Sequence, residues 1–185
     1  MKASERVIVA LDVPSAAEAV RLAAVLRDHV GAVKVGLELI HAAGFGIFDW
    51  LCEAGAERVF YDCKLHDIPN TVAGAARAIG GHGVWMMNMH ASGGSRMMRA
   101  AVTGAREGAL ARGVERPLVL AVTLLTSLTP LELALELRVD SSTVDYVRQL
   151  AVLAQESGCD GVVCSPQEIE TVRWACGPEF LIVTP

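Results

Sequence analysis

Acidic and basic residues alternate in the segment 61–71, whose sequence is YDCKLHDIPNT. Asp62 and Lys64 follow the apolar run 58–61, which is typical of a buried β-strand. Side chains two residues apart in a strand point to the same face, so this carboxylate and this ammonium are predicted to lie together. Because desolvating such a pair is costly, we interpret it as part of a site that performs chemistry.

Two further charges occupy equivalent places earlier in the chain. Asp12 ends the strand-like run 6–12, and Lys34 lies near the end of the run 32–36. If the carboxyl ends of successive strands meet at one face, these residues join Asp62 and Lys64 in an alternating array of carboxylates and ammoniums. Each charge would be compensated by its neighbour, so both lysines stay protonated and both carboxylates stay ionised. We therefore predict a functional array rather than a single structural ion pair.

Short β-branched runs alternate with longer helical patterns along the whole chain. This alternation, with near-continuous apolar strands, predicts a parallel sheet covered by helices. The predicted strands are 6–12, 32–36, 58–62, 84–90, 118–123, 161–164 and 181–184. The predicted helices are 15–29, 46–54, 69–79, 95–112, 142–157 and 166–175.

Two folds share this alternation, the closed (β/α)₈ barrel and the doubly wound open sheet. The open sheet is disfavoured because its Gly-rich phosphate turn is absent after the first strand, where Leu11-Asp12-Val13-Pro14 stands instead. A closed barrel has eight strands and typically about 250 residues. We therefore predict one TIM-barrel domain over residues 1–185, with the last strand–helix portion missing from this chain.

Composition restricts the partners of the protein. The net charge is −5 and no Lys/Arg cluster occurs, which argues against a nucleic-acid or membrane surface. The five cysteines are scattered without a C-x-x-C pair, so we predict neither disulfides nor zinc, and a cytoplasmic location. The stretch 117–128 is too short, and too interrupted by threonine, to span a bilayer.

The segment 62–71 resembles the D-x-K-x-x-D-I-x-x-T signature of the orotidine-5′-phosphate decarboxylase family, in its bacterial form. D-x-K-x-x-D alone is shared with sugar-phosphate relatives, whereas the added Ile-Pro-Asn-Thr is more specific. Other segments resemble the family in the right order along the whole chain, namely 10–13, 33–36, 88–94, 125–127, 163–168 and 181–185.

The resemblance implies a cofactor-independent decarboxylation of orotidine 5′-monophosphate to uridine 5′-monophosphate, the last step of de novo pyrimidine synthesis. It implies that Lys64 donates the proton and that Asp62 lies beside the substrate carboxylate. Lys34 would organise Asp62 and the ribose. The other implied substrate contacts are Asp12 at the ribose hydroxyls, Thr126 at the pyrimidine or its flanking loop, and a nearby hydroxyl at Thr129.

The resemblance also implies a homodimer whose sites are shared across the interface. Asp67, Ile68 and Thr71 would reach into the site of the neighbouring subunit. Asp67 has a simpler interpretation as the N-cap of the helix that follows, and the two roles are compatible. His90, at the end of an apolar strand, is expected to be a hydrogen-bonded core histidine rather than a ligand.

Two alternatives stay open at this point. A sugar-phosphate relative, such as 3-keto-gulonate-phosphate decarboxylase or hexulose-phosphate synthase, would need carboxylates for Mg²⁺, and Glu38 is the obvious spare carboxylate. The chain could also be an inactive fragment, because the family continues after Thr-Pro with a Gly-Ile-Arg-like turn and a Gly-Arg phosphate loop. Neither follows within these 185 residues, so we expect the chain alone to be a poor catalyst.

Overall fold

The computed structural model describes residues 2–185, which form one seven-stranded parallel sheet in the order of the sequence. The strands are β1 (Ile8–Ala10), β2 (Ala32–Val35), β3 (Val59–Leu65), β4 (Met86–His90), β5 (Leu118–Val122), β6 (Gly161–Val163) and β7 (Leu181–Val183). The helices are α1 (Ala16–Leu26), α2 (Leu37–Ala43), α3 (Ile47–Glu53), α4 (Pro69–Gly80), α5 (Gly94–Arg112), α6 (Pro130–Leu135), α7 (Thr143–Glu156) and α8 (Ile169–Cys176).

The sheet curls so that its first and last strands face a common interior. Ile8 of β1 and Val183 of β7 both pack against a small apolar cluster of Phe60, Met86 and Leu120. A flat sheet would keep its two edge strands too far apart to share such a cluster, since neighbouring strands lie about 4.8 Å apart. The curl and the strand–helix alternation agree with the predicted barrel architecture.

The main core lies between the outer face of the sheet and the helices. Alternation along β4 divides its methionines, because Met87 and Met89 join this outer core while Met86 belongs to the interior cluster. Within residues 2–185, no helix is both long enough and apolar enough to cross a membrane.

Helices α4 and α5 pack unusually closely. A Cβ added at Gly104 or Gly108 of α5 would overlap the backbone carbonyls of Ala73 and Arg77 of α4. Glycine therefore permits direct backbone approach between the two helices. This contact holds α4, whose first turn contains the end of the signature segment, against α5.

The structure differs from the sequence prediction in three places that bear on the site. Strand β3 continues to Leu65, beyond the predicted end at position 62. The short helices α2 and α6 were not predicted. Both have few residues, and the N-cap of α2 is Gly36, which offers no side-chain cap. The predicted start of α1 is correct, because the Ser15 hydroxyl accepts a hydrogen bond from the Glu18 amide at 3.3 Å.

Candidate active site

The predicted alternating charges come together at the carboxyl ends of β1, β2 and β3. The Lys64 ammonium donates to Asp62 Oδ1 at 2.7 Å, and the Lys34 Nζ lies 3.2 Å from Asp62 Oδ2. Lys34 Nζ also lies 3.5 Å from Asp12 Oδ1. The four side chains thus form a continuous chain of ion pairs, with Asp62 between the two lysines. We call these four residues the charged array.

Asp62 is the most deeply buried charge of the array, with only 8% of its surface exposed. Burial by itself would raise the pKa of this carboxyl group. Hydrogen bonds from Lys64 and Asn88, with the positive charges of Lys64 and Lys34, outweigh burial and lower the pKa below its usual value. Asp62 is therefore held ionised inside the site.

Lys64 occupies a distorted part of β3. Its φ angle is +47°, one of two positive values among the non-glycine residues that the structure describes. The pairing of β3 with β4 shifts here, from Tyr61 opposite Met87 to Leu65 opposite Met89. The prediction that Asp62 and Lys64 share one face is confirmed, because both side chains line the cavity while Cys63 between them faces the outer core. The bulge in the backbone at this point was not predicted.

Asn88, on the neighbouring strand β4, is a site residue whose role sequence reasoning missed. Its amide nitrogen donates to Asp62 Oδ1 at 2.6 Å, and its amide oxygen accepts from the Lys64 backbone N–H at 2.7 Å. The side chain is fully buried. A signal was available, because this amide stands alone in the apolar strand Met86–His90 and a buried amide needs partners.

The charged array opens into a cavity of about 460 Å³ inside the curled sheet. All four array residues line it, together with Thr126 from the segment after β5. Its lower wall is apolar and consists of side chains from several strands, including Phe60, Val122 and Val163. A cavity with an apolar floor and a few convergent charges has the character of a small-molecule site.

A family model described as "Orotidine 5'-phosphate decarboxylase / HUMPS family" matches residues 5–185. This chain belongs to that family. The match covers all seven strands and every residue of the charged array.

Individual relatives agree with the family assignment. The chain is 49% identical over its whole length to a protein from Moorella thermoacetica named "Orotidine 5'-phosphate decarboxylase", of which it covers 73%. It is 48% identical to a protein of the same name from Syntrophomonas wolfei, and the alignment covers 100% of this chain and 77% of that relative.

Solved structures confirm the barrel fold. The orotidine 5'-phosphate decarboxylase of Lactobacillus acidophilus superposes with a TM-score of 0.86 at 39% identity, covering 97% of this chain and 80% of that one. An uncharacterized conserved protein from Geobacillus kaustophilus gives a TM-score of 0.88 at 44% identity, covering 96% and 81%. The seven strands are thus the corresponding strands of a TIM barrel.

The other predicted site residues lie outside the cavity lining. Ile68, with 67% of its surface exposed, lies in the loop before α4, between exposed Asp67 and exposed Thr71. The Asp67 carboxylate accepts from the Ile68 amide at 2.6 Å, but the N-cap of α4 is Ile68, so the capping interpretation of Asp67 is wrong. Thr129 caps α6 and donates its hydroxyl to Glu132 at 2.7 Å.

Two histidines flank the array on the side of β4. The His90 ring is half-buried and lies 5.3 Å, centroid to centroid, from the ring of His66. Burial lowers the pKa of His90, and the nearby charges of His66 and Lys64 lower it further, against the opposing effect of Asp62. The expected core position of His90 is correct only in part, because its ring is half-buried rather than buried.

The carboxylates do not form a metal-binding cluster in the part of the chain that the structure describes, where no three His, Cys, Asp or Glu residues are grouped suitably. Glu38, the spare carboxylate of the sugar-phosphate alternative, is exposed on α2 and does not line the cavity. Cys63 points away from the cavity, and burial raises the pKa of its thiol to about 11, which disfavours the reactive thiolate.

Proposed function

We propose that this protein decarboxylates orotidine 5′-monophosphate to uridine 5′-monophosphate and CO₂, the last step of de novo pyrimidine synthesis, without a cofactor. The observation that carries the proposal is the Lys34–Asp62–Lys64 arrangement at the cavity inside the curled sheet, with Asp62 and Lys64 in the signature segment of the family. Relatives named for this activity match the whole chain. Nothing in the geometry favours the sugar-phosphate alternative, since Glu38 lies away from the array.

The chemistry requires a stabilised carbanion. The bond from C6 of the pyrimidine to the carboxylate breaks, CO₂ departs, and the electron pair stays on C6. The Lys64 ammonium, held by Asp62, stabilises this developing charge without solvent reorganisation. It then transfers a proton to C6, becomes a neutral amine and is reprotonated by water.

The other array residues hold the substrate and the proton donor. Asp62 lies beside the substrate carboxylate and fixes the Lys64 ammonium. Lys34 orients Asp62 and contacts the ribose, whose hydroxyls donate hydrogen bonds to Asp12. Thr126 contacts the pyrimidine from the rim of the cavity. Thr129 stays a predicted contact, although its hydroxyl hydrogen-bonds to Glu132 in this structure.

We further propose a homodimer in which Asp67, Ile68 and Thr71 complete the site of the neighbouring subunit. The support is their exposure at the carboxyl end of the sheet, and above all the large exposed surface of Ile68, a residue that a partner would cover. Mixing Asp67→Asn subunits with Lys64→Ala subunits should regenerate activity, because a heterodimer would contain one intact site. Activity that stays absent in mixtures shown to exchange subunits would contradict sharing.

We propose a cytoplasmic location for this activity. Five cysteines stand unpaired in the structure, and four of them are buried, which suits a reducing compartment.

The test of the function is a direct assay with a competing substrate. Incubation with orotidine 5′-monophosphate in the presence of a chelator should yield uridine 5′-monophosphate, detected by chromatography. A 3-keto-gulonate phosphate with Mg²⁺ should give no product. Turnover of the sugar phosphate alone, lost on chelation, would overturn the proposal in favour of the metal-dependent relatives.

A further inference from the structure

We infer that Asn88 is a positioning residue that sets the location of the Lys64 ammonium by holding the β3 bulge and Asp62 with a single side chain. This inference rests on the proposed decarboxylation for its kinetic consequences. Its structural part stands on the contacts of Asn88 alone.

Asn88 holds three consecutive residues of β3. Its side-chain amide contacts Asp62 Oδ1 at 2.6 Å and the Lys64 backbone N–H at 2.7 Å, while its own carbonyl accepts from Cys63 Sγ at 3.0 Å. The orientation of the amide is fixed by its partners. A backbone N–H only donates and an ionised carboxylate only accepts, so the oxygen must face Lys64 and the nitrogen must face Asp62.

The Lys64 backbone needs this partner. A φ of +47° is unfavourable for a residue with a side chain, and the bulge removes Lys64 from the regular ladder between β3 and β4. A buried N–H without an acceptor would be costly. The Asn88 side chain supplies the acceptor that the ladder does not, and so stabilises the left-handed conformation of Lys64.

The same amide couples that backbone to the carboxylate that grips the lysine. Asp62 Oδ1 receives both the Asn88 amide and the Lys64 ammonium, the latter at 2.7 Å. Backbone and ammonium of Lys64 are thereby tied to one rigid side chain that is fully buried. Asn88 carries no charge, so it organises the array without changing the charge balance. Only a group with a donor and an acceptor in these positions can bind the Asp62 carboxylate and the Lys64 backbone N–H at the same time.

Two nearly isosteric variants separate positioning from general packing. Asn88→Leu removes donor and acceptor together, and it should lower kcat roughly 100-fold with little change in KM, the scale expected when a reacting group is misplaced. Asn88→Asp keeps the acceptor and loses the donor when ionised. Its introduced carboxyl lies against Asp62, so repulsion raises the pKa of the introduced group.

When protonated, that introduced carboxyl can donate to Asp62 and accept from the Lys64 amide, as the native side chain does. The kcat of Asn88→Asp relative to the unchanged protein should therefore rise as the pH falls. A residue that merely fills space would give a ratio independent of pH. A flat ratio, or an Asn88→Leu variant with unchanged kcat, would overturn the inference.

A measurement without substrate keeps the structural part separate from the proposed function. The exchange of the Lys64 backbone N–H with solvent, followed by NMR, should be faster in Asn88→Leu than in the unchanged protein. Ser157→Ala is the control, because it removes another buried side-chain hydrogen bond, to Leu153 O, far from the site. Equal Lys64 exchange in all three proteins would overturn the inference. If Asn88→Leu does not fold, the pH series of Asn88→Asp decides the question. If the unchanged protein shows no turnover, and exchange at Lys64 is nevertheless faster in Asn88→Leu, the result counts against the proposed function and not against this inference.

Discussion

Ion pairs at the two ends of the sheet are built in opposite ways. At the amino ends of β5 and β6, Arg116 binds Asp160 through two parallel hydrogen bonds, both 2.8 Å long. The same carboxylate accepts the Val119 backbone N–H at 2.8 Å, so both of its oxygens are used within the fold. At the carboxyl ends, two lysines share Asp62, and the Lys64 side chain faces the cavity with 31% of its surface exposed.

The difference separates structural charges from chemical ones. A guanidinium in a bidentate pair is fixed in its plane and does not release a proton, so it can only join elements together. A lysine ammonium is a compact charge with rotatable donors, and it can give up a proton. The fold thus uses arginine where a contact must not change, and lysine where charge and proton must be delivered.

The largest effect is expected from the chemical end. Lys64→Ala should lower kcat by more than roughly 10⁴-fold, because it removes both the electrostatic stabilisation of the carbanion and the proton donor. Affinity for uridine 5′-monophosphate, measured by calorimetry, should persist because the rest of the cavity is unchanged.

Lys64→Arg is the matched control for charge without proton transfer. It should be nearly as inactive as Lys64→Ala, since a guanidinium does not release a proton at neutral pH. Substantial turnover in either variant would remove Lys64 from the proton-transfer step.

The second effect, at the structural end, is on stability alone. Asp160→Asn weakens the bidentate pair with Arg116 and should lower the free energy of unfolding by about 2 kcal/mol, the scale of a hydrogen bond to a charged group. Urea unfolding measures this loss, and kcat measured under native conditions should stay unchanged. A large fall in kcat without a loss of stability would contradict the proposed division between the two ends.

The third effect is a small disturbance of the array. A Cβ at Gly36 would lie 3.1 Å from Asp12 Oδ1 and 3.3 Å from Lys34 Nζ, close enough to displace both side chains slightly. We expect Gly36→Ala to change kcat/KM by about threefold to tenfold, equivalent to about 1 kcal/mol. Gly74→Ala is the control, because nothing lies within 4 Å of the added Cβ. Equal kinetics for the two variants would mean that the Asp12–Lys34 contact has no role.

The fold and most of the charged array could be predicted from the sequence because both depend on periodic patterns. Apolar runs gave the seven strands, and charges at strand ends gave Asp12, Lys34, Asp62 and Lys64. The β3 bulge was not predictable, since no glycine or proline marks a distortion that the Asn88 side chain stabilises from another strand. A side-chain contact between two strands leaves no periodic signal in the sequence of either strand.

The smallest effect concerns pH and returns to the chemical end. Burial, followed by His66 and Lys64, holds the pKa of His90 below its usual 6.5, with Asp62 opposing. The unfolded chain therefore binds the proton more readily than the folded one. The contribution of His90 to stability is complete above its unfolded pKa and declines as the pH falls below about 6.5 towards the folded pKa.

Urea unfolding at about pH 8 and about pH 5 should show that His90→Gln loses less stability on acidification than the unchanged protein. His29→Gln, which replaces an exposed histidine in the segment after α1, should lose stability in parallel with the unchanged protein. If His90→Gln lost as much stability between the two pH values as the unchanged protein, the burial of a neutral imidazole beside the array would carry no energetic consequence.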